Sequence, residues 1–176
     1  AWNVQEEPAY VCNPEENLVA NGSFESPDVA GGSYDIVPDS NPLLSWFVVW
    51  TNPEDSGRLG LEIQDNVAGA PATGAGDQFA ELDGDHPVTI SQELSTEPGQ
   101  EYEVTFLYSP RAGRTSSDNE LYVAMDGTQL GSTLATDGTG NSNTAWEEIA
   151  RTFVASDESS LLSFVDIGND TKSEER

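Results

Sequence analysis

QFAELDGDHPVTISQELSTEPGQEYEVTFLYSPR, residues Gln78–Arg111, reads as three consecutive strands divided by clear turns. In Val88–Leu94 the apolar residues fall at every second or fourth place. Tyr102, Val104, Phe106 and Tyr108 alternate strictly with Glu103, Thr105, Leu107 and Ser109. A period of two marks strands with one buried face. Pro98-Gly99-Gln100 supplies the turn between the last two, proline presetting φ and glycine accepting the positive φ that a type II turn requires. The simplest structure with these features is an antiparallel meander.

Working outward, the pattern continues. Strands are expected at Leu59–Gln64, Asn119–Asp126, Gln129–Ala135, Trp146–Ala155 and Leu161–Ile167, with Asp126-Gly127 as a hairpin turn. Towards the N-terminus the first structured element is Asn17–Ala20, followed by the turn signals Asn21-Gly22 and Ser26-Pro27. A Gly-, Ser-, Asp- and Pro-containing loop leads to the most apolar run, Leu43–Trp50. No window has the period of an amphipathic helix. Many short strands between Gly and Pro turns predict an all-β antiparallel β-sandwich or jelly roll. Residues 1–16 read as a linker or strap, 17–170 as one sandwich domain, and 171–176 as a tail; 176 residues suit one domain.

Six Lys and Arg face 32 Asp and Glu, a formal charge of −26. That charge argues against nucleic acid and anionic membranes as partners. It fits solubility in a salty medium, and equally calcium binding. No stretch approaches the roughly 20 apolar residues of a membrane helix, so membrane insertion is not expected. A basic segment followed by an apolar run is missing at the N-terminus, so a secretion signal has been removed or was never there. Cys12 is the single cysteine, which excludes an internal disulfide. His86, the single histidine, sits in the turn Asp83–Pro87, and one His with one Cys is a poor zinc set. Nothing picks out a carboxyl pair for glycoside hydrolysis, and no enzyme activity is expected.

The order of Asn17-Leu18-Val19-Ala20-Asn21-Gly22-Ser23-Phe24-Glu25, the tryptophan strand, Gln78–Gly84, Ile90-Ser91-Gln92, Pro98–Tyr102, Tyr108-Ser109, Val123–Gly127 and Trp146 resembles the galactose-binding-domain-like jelly rolls. These include carbohydrate-binding modules and related secreted bacterial and plant cell-wall domains. The resemblance implies a secreted or cell-surface, non-catalytic module of a larger enzyme or adhesin, binding a glycan or polysaccharide. A peptide or a sister domain is the alternative partner. It also implies a structural calcium, which maps onto Asn21, Glu25, Asp28 and Asp166; Asp83, Asp85, Asp118 and Asp170 are further oxygen donors. Members usually continue past the strand equivalent to Leu161–Ile167 into a last strand. The departure here implies either a shortened chain or a strand supplied from another segment or chain, next to an open edge.

Sugar recognition needs flat aromatic faces and fixed polar groups, and the candidates are Trp46, Trp50, Tyr108, Arg111, Arg114 and Asn119. In a strand Trp46, Val48 and Trp50 share one face and Phe47 and Val49 the other. The tryptophans therefore either pack in the core or form a binding platform. Arg111 and Arg114 lie in one loop of a chain with few cations. They either bind hydroxyls or a carboxylate, or pair with local acids.

Overall fold

The computed structural model describes residues 17–169. The expected strap over 1–16 with Cys12, the tail 171–176 and Asp170 lie outside these residues. Eleven strands form the described chain: β1 (Ser33–Val37), β2 (Phe47–Trp50), β3 (Leu61–Asp65), β4 (Phe79–Glu81), β5 (Val88–Ser95), β6 (Glu101–Tyr108), β7 (Glu120–Met125), β8 (Thr128–Gln129), β9 (Leu134–Ala135), β10 (Glu147–Val154) and β11 (Ser159–Asp166). All pairings are antiparallel. One sheet runs β2-β5-β11-β7-β8, with β9 also on β7; the smaller sheets are β1-β3-β4 and β6-β10. The three share a core around Val37, Leu44, Leu61, Ile63, Ile90, Met125 and Leu162, with Val104, Phe106 and Phe164 packed against it. This is an all-β sandwich of jelly-roll type.

The stretch Gln78–Arg111 forms its three strands but not a meander. β4, β5 and β6 belong to three different sheets. Alternation fixes which face of a strand is buried, not which strand lies beside it. The chain instead crosses between sheets at its turns. Val88 N–H donates to Leu82 O at 2.8 Å at one crossing. At the other, Gln100 N–H donates to Glu97 O at 3.0 Å around Gly99, whose φ is +83°. Both alternations hold: Val88, Ile90, Gln92 and Leu94 are buried, and so is Tyr108. Across the β6–β10 pair Tyr102 stacks on its register partner Phe153, centroids 5.4 Å apart, a contact worth about 0.5–1.5 kcal/mol.

Other boundaries moved for local reasons. Asn17–Ala20 is not a strand. The buried Gln92 amide takes the place of a ladder partner, accepting from Ala20 N–H at 2.7 Å and donating to Ala20 O at 3.0 Å. The apolar run Leu43–Trp50 becomes strand only from Phe47, because a turn closes at Leu44 and Ser45 has φ +65°. Gln129–Ala135 divides into β8 and β9, whose registers on β7 differ by two residues. Asp126-Gly127 is the expected hairpin turn, both residues at positive φ as a type I′ turn needs. β1 had no counterpart among the expected strands. β11 is paired on both sides, by β5 and by β7. No helix among the described residues is long and apolar enough to cross a membrane.

Candidate functional site

β4 and β6 carry no ladder between them. A cleft of about 710 Å³ draws its walls from both: Phe79–Asp83 on one side, Val104–Arg111 on the other, with Trp146 and Asp166. Its floor reaches the core at Ile90, Leu162 and Phe164. Two contacts cross the cleft from β4, one to the residue before β10 and one to the loop after β6. The half-buried rings of Phe79 and Trp146 meet edge to face at 5.4 Å, and the Arg111 guanidinium is ion-paired to the Glu81 carboxylate. Trp146 is held in place by its indole N–H, which donates to Ala70 O at 2.9 Å.

The loop after β6 is built from the inside. Tyr108 is buried, and its hydroxyl donates to Asn119 O at 2.6 Å; burial pushes its pKa above the usual phenol range. Asn119 Oδ1 accepts from Arg111 N–H, and its Nδ2 donates to Thr115 O. A single turn of 3-10 helix, Ser116–Asp118, closes the loop. Thr115 donates to Asp118 through both its backbone N–H and its hydroxyl, which holds the Asp118 carboxyl below the usual range. Tyr108 and Asn119 thus shape the loop that presents Arg111 and Arg114 to the cleft.

The tryptophans separate. Trp46 borders the cleft but is 4% exposed. It stacks on Phe24 at 5.8 Å, meets Phe164 edge-on, and donates its indole N–H to Asn21 O. Trp50 is absent from the cleft wall and meets His86 at 5.5 Å. Of the six candidates, Arg111, Arg114, Tyr108, Asn119 and Trp46 therefore border one cleft and Trp50 does not.

Further cleft residues were not singled out as ligand-binding from the sequence: Phe79, Glu81, Trp146 and Gln64. Phe79 and Glu81 sit in the strand that decided the fold, where alternation marks them only as scaffold. Gln64 is 1% exposed on a strand buried on both faces, a situation with no sequence signature. Its Nε2 donates to Glu62 Oε1 at 2.9 Å and to Glu81 Oε2, while Oε1 accepts no hydrogen bond from the described residues. Asp166, 8% exposed, accepts from Gly168 N–H at 2.8 Å. Burial, with the Asp83 charge adding to it, pushes its pKa up to about 7.

The oxygens mapped for calcium are largely engaged elsewhere. Asn21 Nδ2 donates to Ser26 O and Leu44 O, and its Oδ1 accepts from Ser26 N–H. Glu25 Oε1 accepts from the N–H groups of Asp77 and Gln78 at 2.9 and 3.0 Å. Asp28 is exposed. The described residues hold no group of three or more His, Cys, Asp or Glu side chains disposed to take a metal ion.

Among solved structures, a family 35 carbohydrate-binding module from Clostridium thermocellum superposes with a TM-score of 0.46 at 12% identity, over 78% of this chain and 89% of that one. A structure described as "CBM4 structure and function" gives 0.41 at 16% identity, over 85% and 88%. No curated protein matches the chain. The family model that matches covers residues 64–174, from the buried Gln64 through the whole of β4–β11; its description is "Protein of unknown function (DUF642)", and the chain belongs to that family.

Proposed function

We propose that this chain is a non-catalytic, extracellular glycan-binding module whose ligand lies in the cleft between β4 and β6. The observation that carries the reading is the pairing, between β4 and the adjoining ends of β6 and β10, of an aromatic contact with an ion pair. Phe79 and Trp146 offer ring surface to the apolar side of a sugar. Arg111, held by Glu81 and by the Asn119-organised loop, offers fixed donors to hydroxyls. Rings set in place beside pre-aligned polar groups lose little entropy on binding. The high negative charge suits an exposed, solvated setting. A structural calcium is the part of the reading that needs its own test, because Asn21 and Glu25 already hold backbone groups.

A glycan array decides it. Saturable binding to at least one sugar, lost in both Trp146→Ala and Arg111→Ala while the thermal midpoint stays near that of the parent, is the expected result. Silence across the array from a folded protein would sink the reading.

A second reading, a peptide- or protein-binding domain on the same scaffold, draws on one other feature. β2 is an edge strand of the large sheet, and Phe47 and Val49 on its outer face are 62% and 55% exposed. An extended segment from a partner could add there as a further strand. Binding to peptides with no sugar binding would favour this reading.

A further inference from the structure

The polar wall of the cleft accepts more than it donates. Glu81, Asp83, Asp118, Glu120 and Asp166 line it, against Arg111 and Arg114. Arg111 is ion-paired to Glu81, and the Arg114 charge contributes, after the hydrogen bonds from Thr115 and Asn169, to the lowered pKa of the Asp118 carboxyl. A ligand carboxylate would meet occupied guanidinium groups and further carboxyls. Like charges brought together in a partly enclosed site repel more strongly than in water.

Gln64 adds an independent requirement. Donation of its Nε2 to Glu62 and Glu81 fixes the orientation of the amide and leaves Oε1 as an acceptor with no donor. The residue borders the cleft and is 1% exposed. A buried acceptor left unsatisfied costs about 1–3 kcal/mol, which a donor brought by a ligand would remove. Where the group facing Gln64 is the C6 substituent, the hydroxymethyl of a neutral sugar supplies such a donor and the ionised carboxylate of a uronic acid does not. The half-apolar rim formed by Phe79 and Trp146 suits an uncharged ring.

From this combination we infer that the cleft selects neutral, hydroxyl-bearing sugar units, with a ligand hydroxyl donating to Gln64 Oε1, and rejects uronic acids. The inference rests on the glycan-binding reading and narrows it to one ligand chemistry. The charge pair Arg111–Glu81 is internally compensated, so a ligand cation gains less there than the number of acids suggests.

The test uses polymers that differ only in charge. Polygalacturonate, alginate and a β-linked polyglucuronate are each compared with their carboxyl-reduced products, in which the acid has become a hydroxymethyl group, by affinity electrophoresis and calorimetry with the full chain. Chitosan serves as the cationic arm. The expected result is that at least one reduced polymer binds about tenfold or more tightly than its parent, and that Gln64→Leu, which lowers the melting temperature by taking a donor from Glu62 and Glu81, still unfolds cooperatively and loses that preference.

Equal or tighter binding of the acidic parents, or a preference for chitosan, would overturn the inference while leaving a glycan-binding module in place. A Gln64→Leu variant that folds and keeps the full preference would overturn the role of Gln64. No binding to any of these polymers, or to neutral glycans on an array, would remove the glycan reading and this inference together. Should Gln64→Leu fail to fold, the comparison of acidic and reduced polymers with the parent protein still decides the selectivity.

Discussion

Asn119 Oδ1 accepts a hydrogen bond from the Arg111 backbone N–H at 2.8 Å, while its Nδ2 donates to Thr115 O at 2.8 Å and Thr136 O at 3.2 Å. One side chain thereby ties together the loop after β6, the segment before β7 and the segment after β9. Its contribution to binding is to hold Arg111 in place. Asn119→Ala removes these bonds from a partly buried site and should cost about 1–3 kcal/mol, with ligand affinity falling along with the loop's order. Asn119→Asp keeps the acceptor for Arg111 but loses the donors, and should be intermediate. Urea melts and hydrogen exchange at residues 111–119 measure both; an unchanged exchange pattern in Asn119→Ala would refute the assignment.

The two tryptophans that border the cleft should part company under mutation. Trp46→Ala empties a site packed by Phe24 and Phe164 and should cost about 3–5 kcal/mol. Trp146→Ala gives up the Phe79 contact and the bond to Ala70 O for about 1–2 kcal/mol, yet should abolish binding. Chemical denaturation beside calorimetry separates the two. The opposite ranking, with Trp46→Ala stable and non-binding, would move the site to the β2 face.

These contrasts show how much was legible in the sequence. Val48 and Trp50 share one face of β2 because the period of two demands it, whereas Trp46 lies before the strand, next to Ser45 at positive φ, and escapes that rule; burial on one side made β5 and β6 equally plain. Which strand lies next to which was not legible, since β4, β5 and β6 have similar patterns but different sheet partners. β1 escaped because only Ile36 and Val37 of its five residues are buried. The arginine loop was visible as two cations in an acidic chain. Glu81 and Trp146, which complete the site with Arg111, are far from it in sequence and meet only through the fold. No local pattern encodes such a meeting.

Gly138 should be sensitive although it lies in a polar loop. A Cβ there would collide with the Arg111 carbonyl, and Gly138 also exchanges backbone bonds with that loop, donating to Arg114 O and accepting from Gly113 N–H at 2.9 and 2.8 Å. Gly138→Ala must move the arginine loop or itself, at about 1–3 kcal/mol, and should weaken ligand binding. Gly127→Ala is the control. Its Cβ would meet nothing, so only the +76° φ opposes it, at about 1 kcal/mol and with binding intact. Equal effects of the two on affinity would refute the positional argument.

Calcium gives a prediction of its own. Asn21 Oδ1 and one Glu25 oxygen are engaged by backbone N–H groups, and the described residues hold no group of three or more His, Cys, Asp or Glu side chains disposed to take a metal ion, so millimolar calcium should leave the melting midpoint where a chelator leaves it. A ligand that binds only the folded state raises stability by RT ln(1 + [L]/Kd). A rise of several degrees would therefore establish a calcium site and show that these side chains rearrange to form it.

The last prediction concerns pH and Asp166. Its carboxyl has a pKa pushed up to about 7 in the fold from the ordinary aspartate value of 3.8, chiefly by burial. The folded state thus holds a proton that the unfolded chain releases near pH 4. Between roughly pH 4 and pH 7 the native state binds more protons, so stability attributable to this group is full below pH 4 and lost as pH rises to about 7. With roughly 1.4 kcal/mol attached to each tenfold change in proton affinity, the loss is on the order of 2–4 kcal/mol. Asp166→Asn keeps an Oδ1 acceptor for the Gly168 N–H and cannot ionise. Measured by urea unfolding, its stability relative to the parent should climb from pH 4 to pH 7 and then level off. A parent-to-variant difference that is flat across this range would mean that Asp166 is charged in the fold, and that the carboxyl side of the cleft carries more negative charge than its burial implies.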